Sequence, residues 1–565
     1  MMSDKKIAMI DGIPVQIEGE KNLLELIRKA GIELPTFCYY SELSVYGACR
    51  LCVFEDERGN IDAACSAQPW SGMIVKTNTE RLRTYRKMIL ELLLATHCGE
   101  CTACEDNGTC KLQEFATRFH IENIRFPKNT QKLDVDTSSP CITKDQSKCI
   151  LCGDCVRMCS EIQNVGAIDF AYRSSKTTIS TAFNEPLAES NCVGCGQCVV
   201  VCPTGAIMIR NETNKLWKEL DDSNNKVIVQ IAPAVRVAIG ESLGVKEGED
   251  VMGKITAALR RLGFAEVFDT STGADLTVLE EAAEFAQRLE SGKNLPLMTS
   301  CCPAWVQYCE DNFPEMMSHV SSCRSPMQMM GSILKEYNKD SDKRTVNVAV
   351  MPCTAKKYEA ARDEFKKDGV PDIDYVITTR ELIQMIRESG IVFSELDPET
   401  VDVAFGTMTG AGVIFGVTGG VTEAVLRHVS PDKSRTGLRL TALSGARGMD
   451  GVKETSVMLG EREVKIAIVS GLKNAYEIIE RVKQGEKYDF IEVMACPGGC
   501  VNGAGQPVTT GNRKQVRAQG LYMADNASNI RLAEQNPLMT ELYGGILKGR
   551  EHELLHVHYD GKKHD

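Results

Sequence analysis

Several things are scarce in this sequence, and each scarcity closes a class of function. No apolar run reads as a membrane span: residues 403–421 are uncharged for nineteen positions but carry six glycines and several threonines. A span needs about 20 predominantly apolar residues, so this stretch reads as buried loop and turn structure. No Gly-rich loop lies in the strand–turn–helix context of a dinucleotide site, so any nicotinamide chemistry would belong to a partner. The start, Met1-Met2-Ser3-Asp4-Lys5-Lys6, lacks the apolar core of a secretion signal, which makes the cytoplasm the expected location. Basic charge is in deficit, and the net −12 speaks against nucleic acid or an anionic membrane as the general partner. A local basic docking patch stays open.

Cysteine, by contrast, is abundant: 24 of 565 residues, in a chain whose 43% apolar content can fill several cores. The cysteines sit in CxxC runs without a secretion signal, which favours metal ligation over disulfides. The opening residues suggest a β-grasp. A hairpin of Ile7–Ile10 and Pro14–Ile17 turns at Asp11-Gly12, and a short helix begins at Asn22, with Glu25 placed for a capping box and Gly31 as its stop. It leads into Cys38, Cys49, Cys52 and Cys65, four thiolates suited to a [2Fe–2S] cluster. Zinc is the alternative on spacing alone.

From Arg81 to Leu94, Leu82, Tyr85, Ile89 and Leu92 recur at helical spacing and deliver His97, followed by Cys101, Cys104 and Cys110. A histidine near a helix end is commonly a cap or surface residue; here it completes a set of three cysteines. Cys149, Cys152, Cys155 and Cys159, then Cys192, Cys195, Cys198 and Cys202 before Pro203, write the bacterial two-cluster ferredoxin run twice. In that arrangement the fourth cysteine of each run serves the other cluster, so Cys202 should join Cys149, Cys152 and Cys155, and Cys159 should join Cys192, Cys195 and Cys198.

Beyond Ile209 strands and helices alternate, with Val227–Ile231, Val346–Val350, Val464–Val469 and Phe490–Val493 as expected buried strands. Three cysteine loops follow: Thr299-Ser300-Cys301-Cys302-Pro303, Met351-Pro352-Cys353 and Cys496-Pro497-Gly498-Gly499-Cys500. Two of them start directly after strands, where α/β sheets place active sites. Adjacent side chains diverge, so Cys301 and Cys302 should not bind one iron, which leaves one thiol for a task such as proton transfer.

These loops resemble the signature of [FeFe]-hydrogenases, and the four upstream sets resemble the accessory domains of the long clostridial-type enzymes, over nearly the whole chain. The resemblance implies an H-cluster, a [4Fe–4S] cube joined by a thiolate to a two-iron subsite with CO, cyanide and azadithiolate. Cys302, Cys353 and Cys496 would be terminal cube ligands and Cys500 the bridge. Lys356 would donate to a cyanide, although a solvated surface lysine is the plainer reading, and Met351, Pro352 and Met494 would pack around the subsite. Ala232, Pro233 and Ala234 resemble the loop at the other cyanide, and Phe415 and Gly416 a carbonyl-facing segment. Glu281, Glu284 and Arg288 share a helix face, which alone reads as a solvated charged stripe. With the resemblance, Cys301 passes protons through water, Glu281, Ser321 and Glu284, with Arg288 near the exit. Cys323, Met327, Thr422 and Ala504 depart from the commoner family residues, and Cys98, Cys141 and Cys309 have no assigned role.

The expected fold is multidomain, α+β and α/β: a β-grasp [2Fe–2S] ferredoxin-like domain (1–79), a small [4Fe–4S] domain with one histidine and three cysteine ligands (80–125), a two-[4Fe–4S] ferredoxin-like domain (126–209), an α/β H-cluster catalytic domain (210–513) and a small-subunit-like segment (514–565) that wraps back. The expected cofactors are the H-cluster, three accessory [4Fe–4S] clusters and one [2Fe–2S] cluster. The expected partners are ferredoxin or a similar electron carrier and hydrogenase maturation proteins, the chain otherwise acting as a monomer. Rival readings are a hydrogenase subunit of an NAD(P)-linked or electron-bifurcating complex, and an iron–sulfur assembly factor or hydrogen sensor.

Overall fold

The structure, a computed structural model, describes residues 6–129, 134–406, 408–434, 437, 445–508 and 511–559. The first five residues, on which the reading of the start rests, lie outside the described residues. Strands Ile7–Ile10 and Ile13–Gln16 form the opening hairpin, whose turn residues Asp11 (φ 48°) and Gly12 (φ 84°) both take the left-handed conformation of a type I′ turn. They join Ile74–Lys76, Val53–Asp56 and Ile61–Ala63 in one five-stranded sheet, over which the helix Leu23–Lys29 buries Leu23, Leu24, Leu26 and Ile27. Asn22 caps this helix by accepting from the Glu25 amide. The returning arm of the expected box goes to the Lys21 amide instead of to Asn22.

The helix Glu80–Thr96 buries only part of the expected face: Leu82 is buried and Ile89 packs partly on the core. Leu82, Arg86 and Leu90 point inward, four residues apart, while Tyr85 is 38% and Leu92 45% exposed. Arg86 fits there because its guanidinium donates to the carbonyls of Leu51, Val53 and Thr77, so the buried charge is hydrogen-bonded on three sides. In the ferredoxin-like module, Ile142–Lys144 pairs with Ile207–Ile209 and Asp169–Ala171 with Thr178–Ser180. The short helices Asp154–Arg157 and Gln197–Val201 each follow a left-handed glycine, Gly153 and Gly196.

Two four-stranded sheets build the large domain. The first is parallel, in the order Glu266–Asp269, Asn225–Ile231, Arg344–Met351, Tyr375–Thr378; the second runs Leu297–Met298, Phe490–Met494, Arg462–Ser470, with Val452–Leu459 as its antiparallel edge. The loops that begin at Ala232, Thr299, Pro352 and Ala495 all leave carboxyl ends of parallel strands, which is where such sheets open a binding crevice.

Residues 403–421 are more helical than the sequence suggests. Gly410–Val413, Ile414–Gly416 and Gly420–Val429 form short buried helices, and among the described residues no helix is long and apolar enough to cross a membrane. The glycines permit backbone contact: a Cβ on Gly412 would stand 2.4 Å from the Ser271 carbonyl oxygen. The carboxyl-terminal segment is built into the same cores. Ala518 and Leu521 of the helix Arg513–Ala527 join the core of the second sheet. Leu538, Leu542, Leu547 and Leu555 pack on Phe268, Met329 and Ile333.

Candidate functional site

None of the 24 cysteines is in a disulfide. Cys38, Cys49, Cys52 and Cys65 face one another, with the Cys49 amide 3.3 Å from the Cys38 sulfur, and hydrogen bonds within the pairs 38/49 and 52/65 lower the pKa of Cys49 and Cys52 while raising that of their partners. His97 is buried, its Nε2 has no hydrogen-bond partner, and it shares one cavity wall with Cys101 and Cys110. Burial lowers its pKa, which keeps the ring neutral as a ligand requires. Cys104 is not on that wall; its amide bonds to the Cys101 carbonyl at 3.2 Å.

Cys149, Cys152, Cys155 and Cys202 line a second cavity together. Burial raises each thiol's pKa, and among the smaller causes Cys202 acts on Cys149, Cys152 and Cys155, whereas Cys159 acts on Cys192, Cys195 and Cys198. The fourth residue of each run therefore stands with the other run's first three. Among the described residues no group of three or more His, Cys, Asp or Glu could hold a single metal ion; Cys149, Cys152, Cys155 and Cys202, and His97 with Cys101 and Cys110, line cavities instead. The donor sets fit iron–sulfur clusters.

The three loops converge in the large domain. Cys302 caps the helix Pro303–Asn312, and its sulfur lies 3.4 Å from the Ala495 amide. Burial raises the pKa of Cys353, Cys496 and Cys500, and each also feels the Cys302 thiol. Close backbone contact holds the loops: a Cβ on Gly503 would meet the Pro352 carbonyl at 2.2 Å, and one on Gly499 the Thr418 amide at 2.5 Å and the Met494 sulfur at 3.2 Å. Ala234, Phe415 and Met494 share one buried cluster, and the Gln506 side chain, which no motif in the sequence singles out, donates to the Ala234 carbonyl at 2.9 Å. Gly416 lies against Ala234, and Ala232, Pro233 and Met351 are buried.

Lys356 is no surface lysine. It is 8% exposed and donates to the Cys301 carbonyl at 3.1 Å and to the Glu359 carboxylate at 2.9 Å. Burial works to discharge it, but Glu359 outweighs that and raises its pKa. An ammonium has three donors, so one more can point at a ligand. Glu359 and Glu492 escape a reading of the sequence because nothing local marks them; Glu492, fully buried, accepts from the Gly419 amide and from the Thr422 amide and hydroxyl, which gives Thr422 a role. Ala504 places its methyl where a Cβ on Gly196 would come within 2.8 Å, so the two positions fit as a pair.

The charged helix face is not a solvated stripe. On the helix Ser271–Ser291, Glu281 is buried, and both its carboxylate oxygens lack a hydrogen-bond partner. Burial, then the charge of Glu284, pushes its pKa up to about 8. Its charge in turn bears on Cys301. Ser321 Oγ donates to Glu284 Oε2 at 3.0 Å, and Arg288 clamps the other Glu284 oxygen while donating to the carbonyls of Asn294, His319 and Val320.

Comparison with known proteins agrees with this geometry. Residues 225–504 match the family described as iron only hydrogenase large subunit, C-terminal domain, and 511–562 the iron hydrogenase small subunit. Upstream, 7–80 match a 2Fe-2S iron-sulfur cluster binding domain, 86–125 the NADH-ubiquinone oxidoreductase-G iron-sulfur binding region and 148–214 a 4Fe-4S dicluster domain. The NADP-reducing hydrogenase subunit HndD of Solidesulfovibrio fructosivorans is 42% identical over 97% of this chain and 98% of its own. Iron hydrogenase 1 of Clostridium pasteurianum is 35% identical over 98% of this chain and 100% of its own. The chain belongs to the iron-only, or [FeFe], hydrogenase family. A solved structure of the [FeFe]-hydrogenase HydA1 from Chlamydomonas reinhardtii, in a variant form, superposes with a TM-score of 0.54 at 36% identity, over 62% of this chain and 99% of that one.

The protein is thus a hydrogenase, an oxidoreductase whose cofactors are [2Fe–2S] and [4Fe–4S] clusters and an H-cluster. Two hydrogen bonds join the upstream cysteine runs of the hydrogenase to its large domain. Gln197, buried between Cys195 and Cys198, donates from Nε2 to the Cys496 sulfur at 3.2 Å, and Thr354 Oγ1 donates to the Gly194 carbonyl at 2.8 Å. A hydrogen bond to a ligand sulfur stabilises the more negative, reduced cluster. Gln197→Leu is therefore expected to lower the midpoint potential of the cluster that Cys496 would hold by about 40 mV, the one-electron equivalent of about 1 kcal/mol. An EPR-monitored redox titration reads it directly, and an unmoved midpoint would refute the coupling.

Glu281 supplies a pH prediction. With its pKa lifted from 4.5 to about 8, the group holds a proton at neutral pH and loses it as pH rises through that value. Hydrogen evolution should therefore weaken as pH rises through about 8 if Glu281 donates in the relay. A pH profile at fixed driving force with no break there would remove Glu281 from the route.

Proposed function

We propose that the hydrogenase reversibly interconverts two protons and two electrons with H2, and that ferredoxin or a similar carrier exchanges the electrons at the amino-terminal modules. The observation that carries this reading is the meeting of Cys302, Cys353, Cys496 and Cys500 from separate loops, with Cys301 and Lys356 beside them. When bound, the H-cluster supplies the redox chemistry of hydrogen, and the accessory clusters supply electron conduction.

Cys302, Cys353 and Cys496 would hold the cube and Cys500 would bridge to the two-iron subsite, with Lys356 orienting one cyanide by its remaining donor. Ala232–Ala234, Met351, Pro352, Phe415, Gly416 and Met494 would shape and dry the pocket around it. Cys38, Cys49, Cys52 and Cys65 would hold one [2Fe–2S] cluster. His97 with Cys101, Cys104 and Cys110, and the two exchanged ferredoxin sets, would hold three [4Fe–4S] clusters. The boundaries 1–79, 80–125, 126–209, 210–513 and 514–565 follow those ligand groups. Protons would pass between Cys301 and Glu281 through water that the unpaired Glu281 oxygens can bind, then by Ser321 to Glu284, with Arg288 fixing Glu284 in place.

Maturation proteins have to insert the two-iron subsite, so the test uses the fully matured, anaerobic enzyme. Infrared bands in the region of iron-bound CO and cyanide that respond to H2 are expected. Their absence, alongside a control hydrogenase that shows them after the same maturation, would end the catalytic assignment. A second reading has a specific basis: a relative matched over nearly its full length is by name an NADP-reducing hydrogenase subunit. In that case this chain would be one subunit of a nicotinamide-linked assembly, and its native mass and co-purifying proteins decide between the two.

A further inference from the structure

The proton route proposed above ends, in sequence terms, at Glu284 and Arg288, yet Arg288 is committed to three backbone carbonyls and a carboxylate oxygen. The other Glu284 oxygen, Oε2, leads elsewhere. It accepts from the Ser322 amide at 3.1 Å and the Ser322 hydroxyl at 3.2 Å. Ser322 Oγ lies 2.9 Å from Nδ1 of His556, and His556 Nε2 lies 3.1 Å from Glu280 Oε2. The remaining Glu280 oxygen accepts from the Tyr543 hydroxyl.

His556 belongs to the carboxyl-terminal segment, and its position is fixed. Cys323 and His556 form an antiparallel bridge, the Val557 amide donates to the Ser322 carbonyl at 2.8 Å, the Arg324 amide to the Leu555 carbonyl at 2.8 Å and Arg324 Nε to the His556 carbonyl at 2.9 Å. Outward from it, the exposed His552 ring stands 5.0 Å from the His556 ring, and His558, also exposed, 6.1 Å from His552. The ionisable groups facing His556 are Glu280 and, through Ser322, Glu284 on the long helix, His552 on its own segment, Cys323 and Arg324 on the bridged strand, and Tyr543 behind Glu280. Of the carboxylates, Glu280 touches the ring directly and Glu284 is reached through the Ser322 hydroxyl.

We propose that His556 is the solvent-side relay of the hydrogenase's proton route, carrying protons between bulk water and Glu284 through the Ser322 hydroxyl. This rests on the reading of Glu284 as a proton carrier. Inward, a proton from solvent reaches Nε2 by way of the Glu280 carboxylate that faces it, the Nδ1 proton passes to Ser322 Oγ, and the serine's own proton passes to Glu284 Oε2; outward the sequence reverses. One proton enters and one leaves, with no change of oxidation state. The carboxyl-terminal segment therefore completes the route instead of merely covering the catalytic domain.

The test measures H2 evolution and uptake by the fully matured enzyme carrying Glu284→Gln, Ser322→Ala, His556→Ala or His556→Gln, with iron content and infrared bands recorded for each. Proton relays contribute roughly 10²–10⁴-fold where no bypass exists, and with water able to bypass a site at the surface we expect about tenfold losses for S322A, H556A and H556Q. Added imidazole should restore most of the H556A rate, an effect that a purely structural histidine would not show. If H556Q turns over like the parent, His556 only positions the segment and the proposal fails. If H556A and S322A keep full rates while E284Q is inactive, the inner route stands and this branch is overturned. If E284Q itself keeps its rate, the route and the branch fall together.

Discussion

Replacing Cys301 by alanine is expected to lower hydrogen turnover in both directions by at least about 10²-fold while every iron–sulfur cluster stays in place. The expectation follows from what the thiol does and does not touch. Cys302, next in the chain, turns its sulfur to the Ala495 amide, so it belongs with Cys353 and Cys496. Cys301 instead lies within reach of the charge of Glu281, whose buried carboxyl oxygens have no hydrogen-bond partner. Its backbone is fixed by Lys356, which donates to its carbonyl at 3.1 Å, so the side chain is held where it can work. Losing a ligand would bleach iron–sulfur absorption, whereas losing a relay leaves the spectra intact and slows only the steps that move protons. The decisive pairing is therefore turnover against infrared and EPR spectra on the same C301A sample. Full turnover would dismiss the relay, and loss of the CO and cyanide bands would make Cys301 part of the cofactor's support instead.

How much of this can be read from the chain depends on how far apart the interacting residues lie. Ligand cysteines gather in short runs, and buried strands advertise themselves as apolar stretches before a Cys loop, so the ferredoxin-like modules and the strand ends at Ile231, Met351 and Met494 are legible. The inner face of the helix Glu80–Thr96 is legible only in part, because a charged residue stands in its middle: Arg86 is buried through three carbonyls contributed by the β-grasp. Residues 403–421 conceal helices because glycine counts against helix formation, although here it allows one backbone to touch another. Partners separated by hundreds of residues, such as Gln197 with Cys496 or Ser322 with His556, leave no local pattern. For Gln197 a hint does exist: it occupies the gap of a CxxC pair, where any polar side chain is carried close to a cluster.

Lys356→Met is expected to damage stability and chemistry through separable causes. Lys356 and Glu359 form an ion pair at 2.9 Å with side chains only 10% and 2% exposed. Removing the cation leaves a buried carboxylate whose Oε1 already lacks a hydrogen bond and whose Oε2 keeps only Ser325. Breaking one side of such a pair costs about 3–5 kcal/mol, while replacing both sides by apolar groups is often close to neutral. The double variant K356M/E359M should therefore recover most of the lost thermal stability of the catalytic domain, as read by calorimetry. If Lys356 is the donor toward the cyanide, the double variant should not recover turnover, because that donor and the bond that fixes the Cys301 carbonyl are both still missing. If the double variant regains activity along with stability, Lys356 serves the fold alone and has no part in holding the two-iron subsite. If K356M unfolds no more readily than the parent, Glu359 must be taking up a proton in the variant. An infrared carboxylic-acid band absent from the parent would reveal this, and its size would measure how far the lysine, and not the surrounding dipoles, keeps that carboxylate charged.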